Sequence, residues 1–277
     1  MQREFETVAE WLRAIESATD MADYERKSIT GTEEFTQTAS LADAIRMART
    51  GGFKDGIARI AKLRGEILNS IMGQLPAPRR AFAMRGRHVD MGRYTIGRPD
   101  CAVKIVDSAK TRDSHIPRIV RIVVNLAASG AVNGDTLIMR GVAAVVLAEV
   151  LQRHGSSVSI DVVHAISSRY VAGPTIEYRV AVKKSSELIS LDKLAFLLGH
   201  PSALRRLFFA TQEHEDTPTR AAYGISRGRG YGIPAQSTYR GDVYIPAIES
   251  SSEWSEGFTL AWLRKQLVGF GLNLKEV

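Results

Sequence analysis

Apolar positions change their period several times along the chain, most sharply between residues 118 and 165. Ile119-Val120-Arg121-Ile122-Val123-Val124 is a β-branched run that predicts a strand. Asn125-Leu126-Ala127-Ala128-Ser129-Gly130 leaves it as a turn. Thr136 to His154 then predicts an amphipathic helix, and Ser157 to Val163 a second strand. Strand, helix and strand in that order form a βαβ unit. In open α/β sheets ligands sit at the carboxyl ends of strands, so the turn after Val124 is the first place to look for a site.

The same reading extends in both directions. Phe5, Val8, Trp11, Leu12 and Ile15 recur at helical spacing and predict a helix over residues 3–18. Residues 20–39 are polar and predict a loop. Ser40-Leu41-Ala42-Asp43 resembles a capping box ahead of a helix that Gly51-Gly52 stops. A further helix is expected from Phe53 to Gln74, ended by Pro76-Ala77-Pro78. Beyond a turn-rich basic stretch, Ala102 to Val106 predicts an edge strand. Pro174 to Val182 alternates as a third strand of the βαβ region. Only about ten residues separate it from the second strand, too few for a helical crossover, so it is expected to be antiparallel. Leu191–Leu198 and Pro201–Gln212 predict two helices broken at Gly199-His200-Pro201. A glycine-rich loop at Gly224–Gly232 and a fourth strand at Asp242–Ile245 follow, and a helix over Glu253–Gly269 closes the pattern.

These elements divide the chain into a helical N-terminal region (1–75), a basic turn-rich connection with an edge strand (76–117) and an α/β region (118–277). With 277 residues, 44% hydrophobic and 24% charged, the composition is that of a globular protein with a sizeable core. No window of about 18 apolar residues occurs and the first residues lack a basic stretch followed by an apolar one, so cytoplasm is the expected compartment and no membrane contact is expected. The single cysteine, Cys101, allows no intrachain disulfide and fits a reducing compartment.

The formal net charge of +7 is unevenly spread. Arg79, Arg80, Arg85, Arg87, Arg93 and Arg98 face one acid, Asp90, within twenty residues. The loop Ser226-Arg227-Gly228-Arg229-Gly230-Tyr231-Gly232 offers two guanidiniums for phosphates and a ring for stacking. These two segments are the nucleic-acid-binding candidates, against which stands a solvated basic surface. Arg205-Arg206 beside His200-Pro201 reads as a helix junction with a solvated basic turn.

From Arg118 onward the element order resembles the von Willebrand factor A type of Rossmann-like fold. The resemblance implies a three-layer α/β open sheet, mostly parallel with an antiparallel edge strand. In that family the turn after the first strand carries a D-x-S-x-S metal motif; here the positions read Asn125-x-Ala127-x-Ser129, with Glu249 as a late carboxylate. Replacing a carboxylate by an amide and a hydroxyl by a methyl group removes most affinity for Mg²⁺, which prefers hard oxygen donors. The expectation is a degenerate metal site, with no metal and no cofactor. Asp135 and Thr136 read as groups at the start of the following helix. The chain is also similar to uncharacterised bacteriophage and mobile-element proteins, through Ser40-Leu41-Ala42-Asp43-Ala44-Ile45, Val89-Asp90-Met91-Gly92, Val124-Asn125-x-x-x-Ser129-Gly130 and Arg140-Gly141. That resemblance implies a viral context inside a bacterial host.

No catalytic constellation emerges. There is no G-x-S-x-G elbow, G-x-G-x-x-G or Walker loop, the histidines lack zinc-ligand spacing, and Cys101 follows Asp100, which discourages a thiolate. The expected function is a non-enzymatic binding or assembly protein acting through protein contacts, with self-association through faces bearing Trp11, Trp254 and Trp262 unless these fill the core. The alternative is a nucleic-acid-binding protein, of RNA or DNA, using the Arg79–Arg98 segment and the Arg227–Tyr231 loop.

Overall fold

A computed structural model describes all residues except 55–56, 59–60, 63–64, 66–78, 87, 107–118, 169–174, 188, 227, 229 and 273–277; for 79, 80, 105 and 106 it describes the backbone alone. The chain opens with β1 (Gln2–Phe5) and α1 (Val8–Glu16). Two single-turn helices, α2 (Lys27–Thr30) and α3 (Glu33–Thr36), come next, followed by α4 (Leu41–Thr50). After the described part of the next segment come β2 (Arg79–Ala83), β3 (His88–Val89), α5 (Met91–Thr95) and β4 (Ala102–Val106). The βαβ unit is β5 (Ile119–Asn125), α6 (Gly134–Arg153) and β6 (Ser157–Ser167), with β7 (Ile176–Lys183) after it. Then α7 (Leu191–Leu194) runs into a π-helical segment, Ala195–Gly199, and a second one, Ala203–Phe208, runs into α8 (Phe209–Glu213). The chain ends with α9 (Thr217–Tyr223), β8 (Ile233–Pro234), β9 (Val243–Ile245) and α10 (Glu256–Gly269).

The central sheet has the order β1-β7-β6-β5-β9, with β8 adding to β6 where β5 has turned away. β5 is parallel to both β6 and β9, β1 is parallel to β7, and β7 is antiparallel to β6. The fold is therefore mixed α/β with a mostly parallel central sheet. The antiparallel strand was expected at the margin, but β1 lies outside it. The helix predicted from residue 3 is thus a strand followed by a shorter helix: Phe5 pairs with Val180 in the sheet, and Thr7 caps α1 by accepting from the Glu10 N–H.

Strand side chains in the core belong to one face: Val120, Ile122 and Val124 of β5, Val158, Ile160 and Val162 of β6, and their neighbours across the ladders. The described helices pack there, with Trp11, Leu12 and Ile15 of α1 and Ala44, Ile45 and Ala48 of α4 in the same cluster. Residues 1–53 therefore share a core with the βαβ unit. The other face carries Arg121, Asp161 and Arg179, with Asp161 Oδ2 accepting from Arg121 Nε at 2.7 Å and Arg179 Nε at 3.3 Å. Residues 235–244 lie over that face, where Glu177 Oε2 accepts from Ser237 Oγ and the Thr238 N–H. Among the described residues this makes two layers plus a polar loop, not the three layers expected. That face carries an ion-pair network of Arg121, Asp161 and Arg179 beside the apolar Val123, Val163 and Ala165, and the polar loop covers it with hydrogen bonds.

Helix α6 is buried nearly all round, as a helix between a sheet and further helices must be. Its Gly141 meets Gly199 of the first π-helical segment so closely that a Cβ there would lie 2.7 Å from the Gly199 Cα. The Ser40 capping arrangement forms as read, with Ser40 Oγ accepting from the Asp43 N–H at 3.1 Å and Gly51 closing α4 at φ 71°. Most of the helix expected over Phe53–Gln74 lies outside the described residues. β4 has the predicted bounds but sits in a separate three-stranded sheet, β2-β4-β3.

The loop expected over residues 20–39 is instead wound into α2 and α3. Arg206, fully buried, holds them: its guanidinium donates to the carbonyls of Ser28 (2.7 Å), Gly31 (3.1 Å) and Thr38 (2.7 Å), and to Thr38 Oγ1 (2.9 Å). Arg205 is buried as well, so the solvated basic turn is an internal clamp.

Candidate functional site

The chain leaves β5 at the carboxyl edge of the sheet, as read from the sequence. Asn125 is fully buried and spent within the fold: its Nδ2 donates to the Ala235 carbonyl (2.8 Å) and Tyr244 Oη (3.2 Å), while Oδ1 accepts from the Ala127 N–H (3.1 Å). A carboxylate could not make the two donations, so the amide is what this junction requires. Ala127 is buried too. The turn's backbone is tied to the chain after β9, with Ser129 N–H donating to Ile248 O at 2.9 Å and Ile248 N–H to Ala127 O at 3.0 Å. Arg140 closes the junction from α6, donating to the carbonyls of Asn125 (2.9 Å) and Leu126 (3.4 Å). Burial pulls its guanidinium down to about 9.

Of the four metal-motif positions, Ala127 and Ser129 border a cavity, and of these only Ser129 carries a polar side chain. Glu249 is exposed and does not line it. Among the described residues no group of three or more His, Cys, Asp or Glu side chains is placed to hold a metal ion. Asn133, not Asp135, caps α6: its Oδ1 accepts from the Thr136 N–H at 2.8 Å.

The cavity beside Ser129 measures about 200 Å³ and lies where β5 turns off and β8 takes its place. Among the described residues its charged members are Lys27, from the start of α2, and Arg205, from the second π-helical segment, and no carboxylate lines it. The two cations flank one ring. Lys27 Nζ lies 4.7 Å from the Phe35 centroid and the Arg205 guanidinium carbon 4.1 Å from it. Arg205 donates to Phe35 O (2.7 Å) and to Val132 O, which leaves three of its five N–H donors uncommitted. Burial lowers the pKa of Lys27, and the Arg205 charge lowers it further; burial likewise pulls Arg205 down to about 10. Neither group pairs with a carboxylate among the described residues.

His164 of β6 completes the wall at 2% exposure. Its Nε2 lies 3.1 Å from Gln212 Nε2, which also donates to the Tyr231 carbonyl; the imidazole therefore accepts at Nε2 and carries its proton on Nδ1. That Nδ1 is buried without a hydrogen-bond partner among the described residues. Desolvation, with a smaller contribution from Arg140, holds the ring neutral, its pKa pulled down to about 3.

Tyr231 of the RGRGYG loop reaches this cavity, but not as a free stacking ring. It is 6% exposed, its ring stacks on Phe209 at 4.1 Å, and its hydroxyl donates to Glu213. Glu213 is itself buried against Arg26 Nε (3.1 Å) and the Ser28 N–H (2.9 Å). Arg227, Arg229 and Arg87, and the side chains of Arg79 and Arg80, lie outside the described residues. Arg93 and Arg98 both pair with Asp100, Arg93 also lies 3.9 Å from the Phe82 centroid, and Arg85 is exposed. The structure thus gathers Ser129 and Tyr231 with Lys27, Phe35, His164 and Arg205, none of which the sequence singled out as a site. One signal was available: Arg205-Arg206 interrupts an otherwise apolar stretch from Ala203 to Phe209, which marks buried arginines.

No described helix is long and apolar enough to cross a membrane. No curated protein and no solved structure matches the chain. A family model does match, over residues 1–273, and the chain belongs to the family it describes, "Domain of unknown function (DUF7192)".

Proposed function

We propose that this chain is a non-enzymatic binding protein of von Willebrand A-like architecture, which captures an acidic group of a protein partner at the crest of its sheet. The observation that carries this reading is a cavity lined by two cations and the His164 ring, with no carboxylate among the described residues, at the turn where the resembling family holds a metal. The strand sequence β5, β6, antiparallel β7, β9 supports the architectural half. The bacteriophage or mobile-element setting enters through the motif resemblance alone.

A compact anion, such as a Glu side chain or a chain-terminal carboxylate, would supply the missing counter-charge, with charge-assisted hydrogen bonds from Arg205. A ligand that prefers the folded state raises the melting temperature. Acetate and inorganic phosphate are expected to do so beyond the effect of chloride at matched ionic strength, and Lys27→Glu is expected to abolish the gain. Equal melting temperatures in all three salts would end the reading. Millimolar Mg²⁺ is expected to add nothing beyond its ionic strength. Single- or double-stranded nucleic acid bound at low salt, with affinity falling steeply between about 50 and 200 mM salt, would favour the nucleic-acid alternative.

A further inference from the structure

A second concavity opens at the opposite end of the sheet, where β7 finishes and β6 begins. It measures about 630 Å³ and lies between α1, α4, the last residues of β7 and α7. Val8, Leu12, Ala48, Val182, Leu194 and Leu197 give it an apolar floor. Five cations (Arg13, Arg49, Lys183, Lys184, Lys193) line it against two carboxylates, Glu6 and Glu187.

The existing pairings leave that excess in place. Glu6 is engaged by Arg179 at 3.4 Å, and Glu187 accepts from the Lys184 N–H at 3.0 Å. Arg49 pairs with Glu16, and the buried Lys183 ammonium donates to the carbonyls of Val158 (2.6 Å) and Lys184 (3.1 Å). Arg13, Lys184 and Lys193 come from three different elements, are exposed, and meet no carboxylate among the described residues.

Size narrows the occupant. Small-molecule sites run from about 300 to 1,000 Å³. An α-helix about 10 Å across would place only about 8 Å of its length in this volume, little more than one turn. A polar metabolite would leave the floor unused, and a neutral lipid would leave the cations unused.

We propose that this groove binds a single-tailed amphiphilic anion, its alkyl chain on the floor between α1 and α7 and its carboxylate or phosphate head among Arg13, Lys184 and Lys193. The site is separate from the crest cavity in residues and in position.

Calorimetric titration of the full chain with dodecanoate and with dodecyl phosphate, both below their micelle concentrations, tests it and separates the two headgroups. Saturable one-to-one binding of at least one is expected. Dodecanol should bind at least tenfold more weakly, and dodecyltrimethylammonium not at all. Lys184→Glu with Lys193→Glu should weaken binding tenfold or more at an unchanged melting temperature, and Arg13→Glu should act in the same direction should the double variant melt early. Lys27→Glu, at the crest, should leave it unaltered. The proposal fails if neither anion saturates, if the cationic amphiphile binds equally well, or if charge reversal at the rim leaves affinity unchanged.

Discussion

The crest and the small sheet depart from the usual distribution of side chains in opposite directions. At the crest the chain buries arginines: Arg140, Arg205 and Arg206 are 1%, 5% and 0% exposed, and their hydrogen bonds go mainly to backbone carbonyls. In the β2-β4-β3 sheet and α5 it exposes apolar groups instead: Met84 is 79% exposed, Ile96 74%, Met91 63% and Tyr94 61%. A buried guanidinium is tolerable where its fork meets several carbonyls that helix ends and turns leave unpaired. An exposed apolar cluster has no such internal compensation, and contiguous patches of this kind mark contact surfaces. The buried guanidiniums are therefore bonded mainly within the chain, whereas the apolar groups of the small sheet stay exposed.

The largest effect is expected at Arg206. Replacing it with Met leaves the carbonyls of Ser28, Gly31 and Thr38 without their donor in a buried place and frees α2 and α3. Loss of one partner from a buried, charged hydrogen-bond network costs on the order of 3–5 kcal/mol. Urea unfolding should register that loss, and Lys in place of Arg should recover little, because an ammonium cannot reproduce the planar fork. A loss below about 0.5 kcal/mol, the range of ordinary surface substitutions, would mean that the N-terminal turns hold themselves.

The buried histidines come next. His164 and His200 have folded-state pKa values pulled down by burial to about 3 and about 4. His164 packs against Tyr178, Phe208 and Gln212 with Arg140 nearby; His200 lies between Phe53 and Phe196 and accepts from the Ser202 N–H. Each is a base whose pKa is lower folded than unfolded. The stability it contributes is complete above the unfolded value of 6.5 and is lost as pH falls towards the folded value. The loss is about 1.4 kcal/mol per pH unit for each ring, or about 2 kcal/mol per histidine at pH 5. His164→Gln should reduce the slope of stability against pH in that window by one proton's worth. An unchanged slope would show that the ring is already charged in the fold.

At Gly141, Ala would push a methyl group to 2.7 Å from the Gly199 backbone. The overpacking cost is roughly 1–2 kcal/mol, after allowing for alanine's better helix propensity. The same substitution at exposed Gly257 in α10, where a Cβ meets nothing within 4 Å, should instead be neutral or stabilising. Equal outcomes at the two positions would refute the close crossing.

What could be read from residue order alone follows from where each element finds its partners. β5 and β6 were legible as β-branched runs and α6 as a long apolar stretch between them, although α6 is buried nearly all round rather than amphipathic as expected. β1 was not: Phe5 and Val8 have helical spacing, yet the first residues gain more by pairing with β7, some 175 positions later. α2 and α3 were hidden for a similar reason, since one turn of helix is marginal alone and these are held by Arg206. Asn125 reads from the sequence as the first residue of the turn after Val124 and as a lost metal ligand, whereas β5 runs one residue further and includes it. Its actual role, two donations to Ala235 and Tyr244, depends on a loop 110 residues away that no local pattern announces. The crest cavity is built the same way: the strand-end turn with Ser129 and the loop with Tyr231 pointed towards it, but Lys27, His164 and Arg205 come from distant elements, hinted at only by the charged doublet in an apolar stretch.

The smallest effect on folding, and the sharpest test of the contrast, lies in the small sheet. Met84→Ser with Ile96→Ser removes two of its most exposed apolar groups. Neither is buried, so stability should change by no more than about 0.5 kcal/mol. If the patch is a contact between copies of this chain, sedimentation at increasing protein concentration should show the wild type associating and the double variant remaining at one mass. Association that survives both substitutions would move the interface elsewhere. A wild type that stays monomeric throughout would leave the patch to a different partner. A marked loss of stability would mean that these side chains serve the fold, and the difference between internally bonded arginines and uncovered apolar groups would collapse.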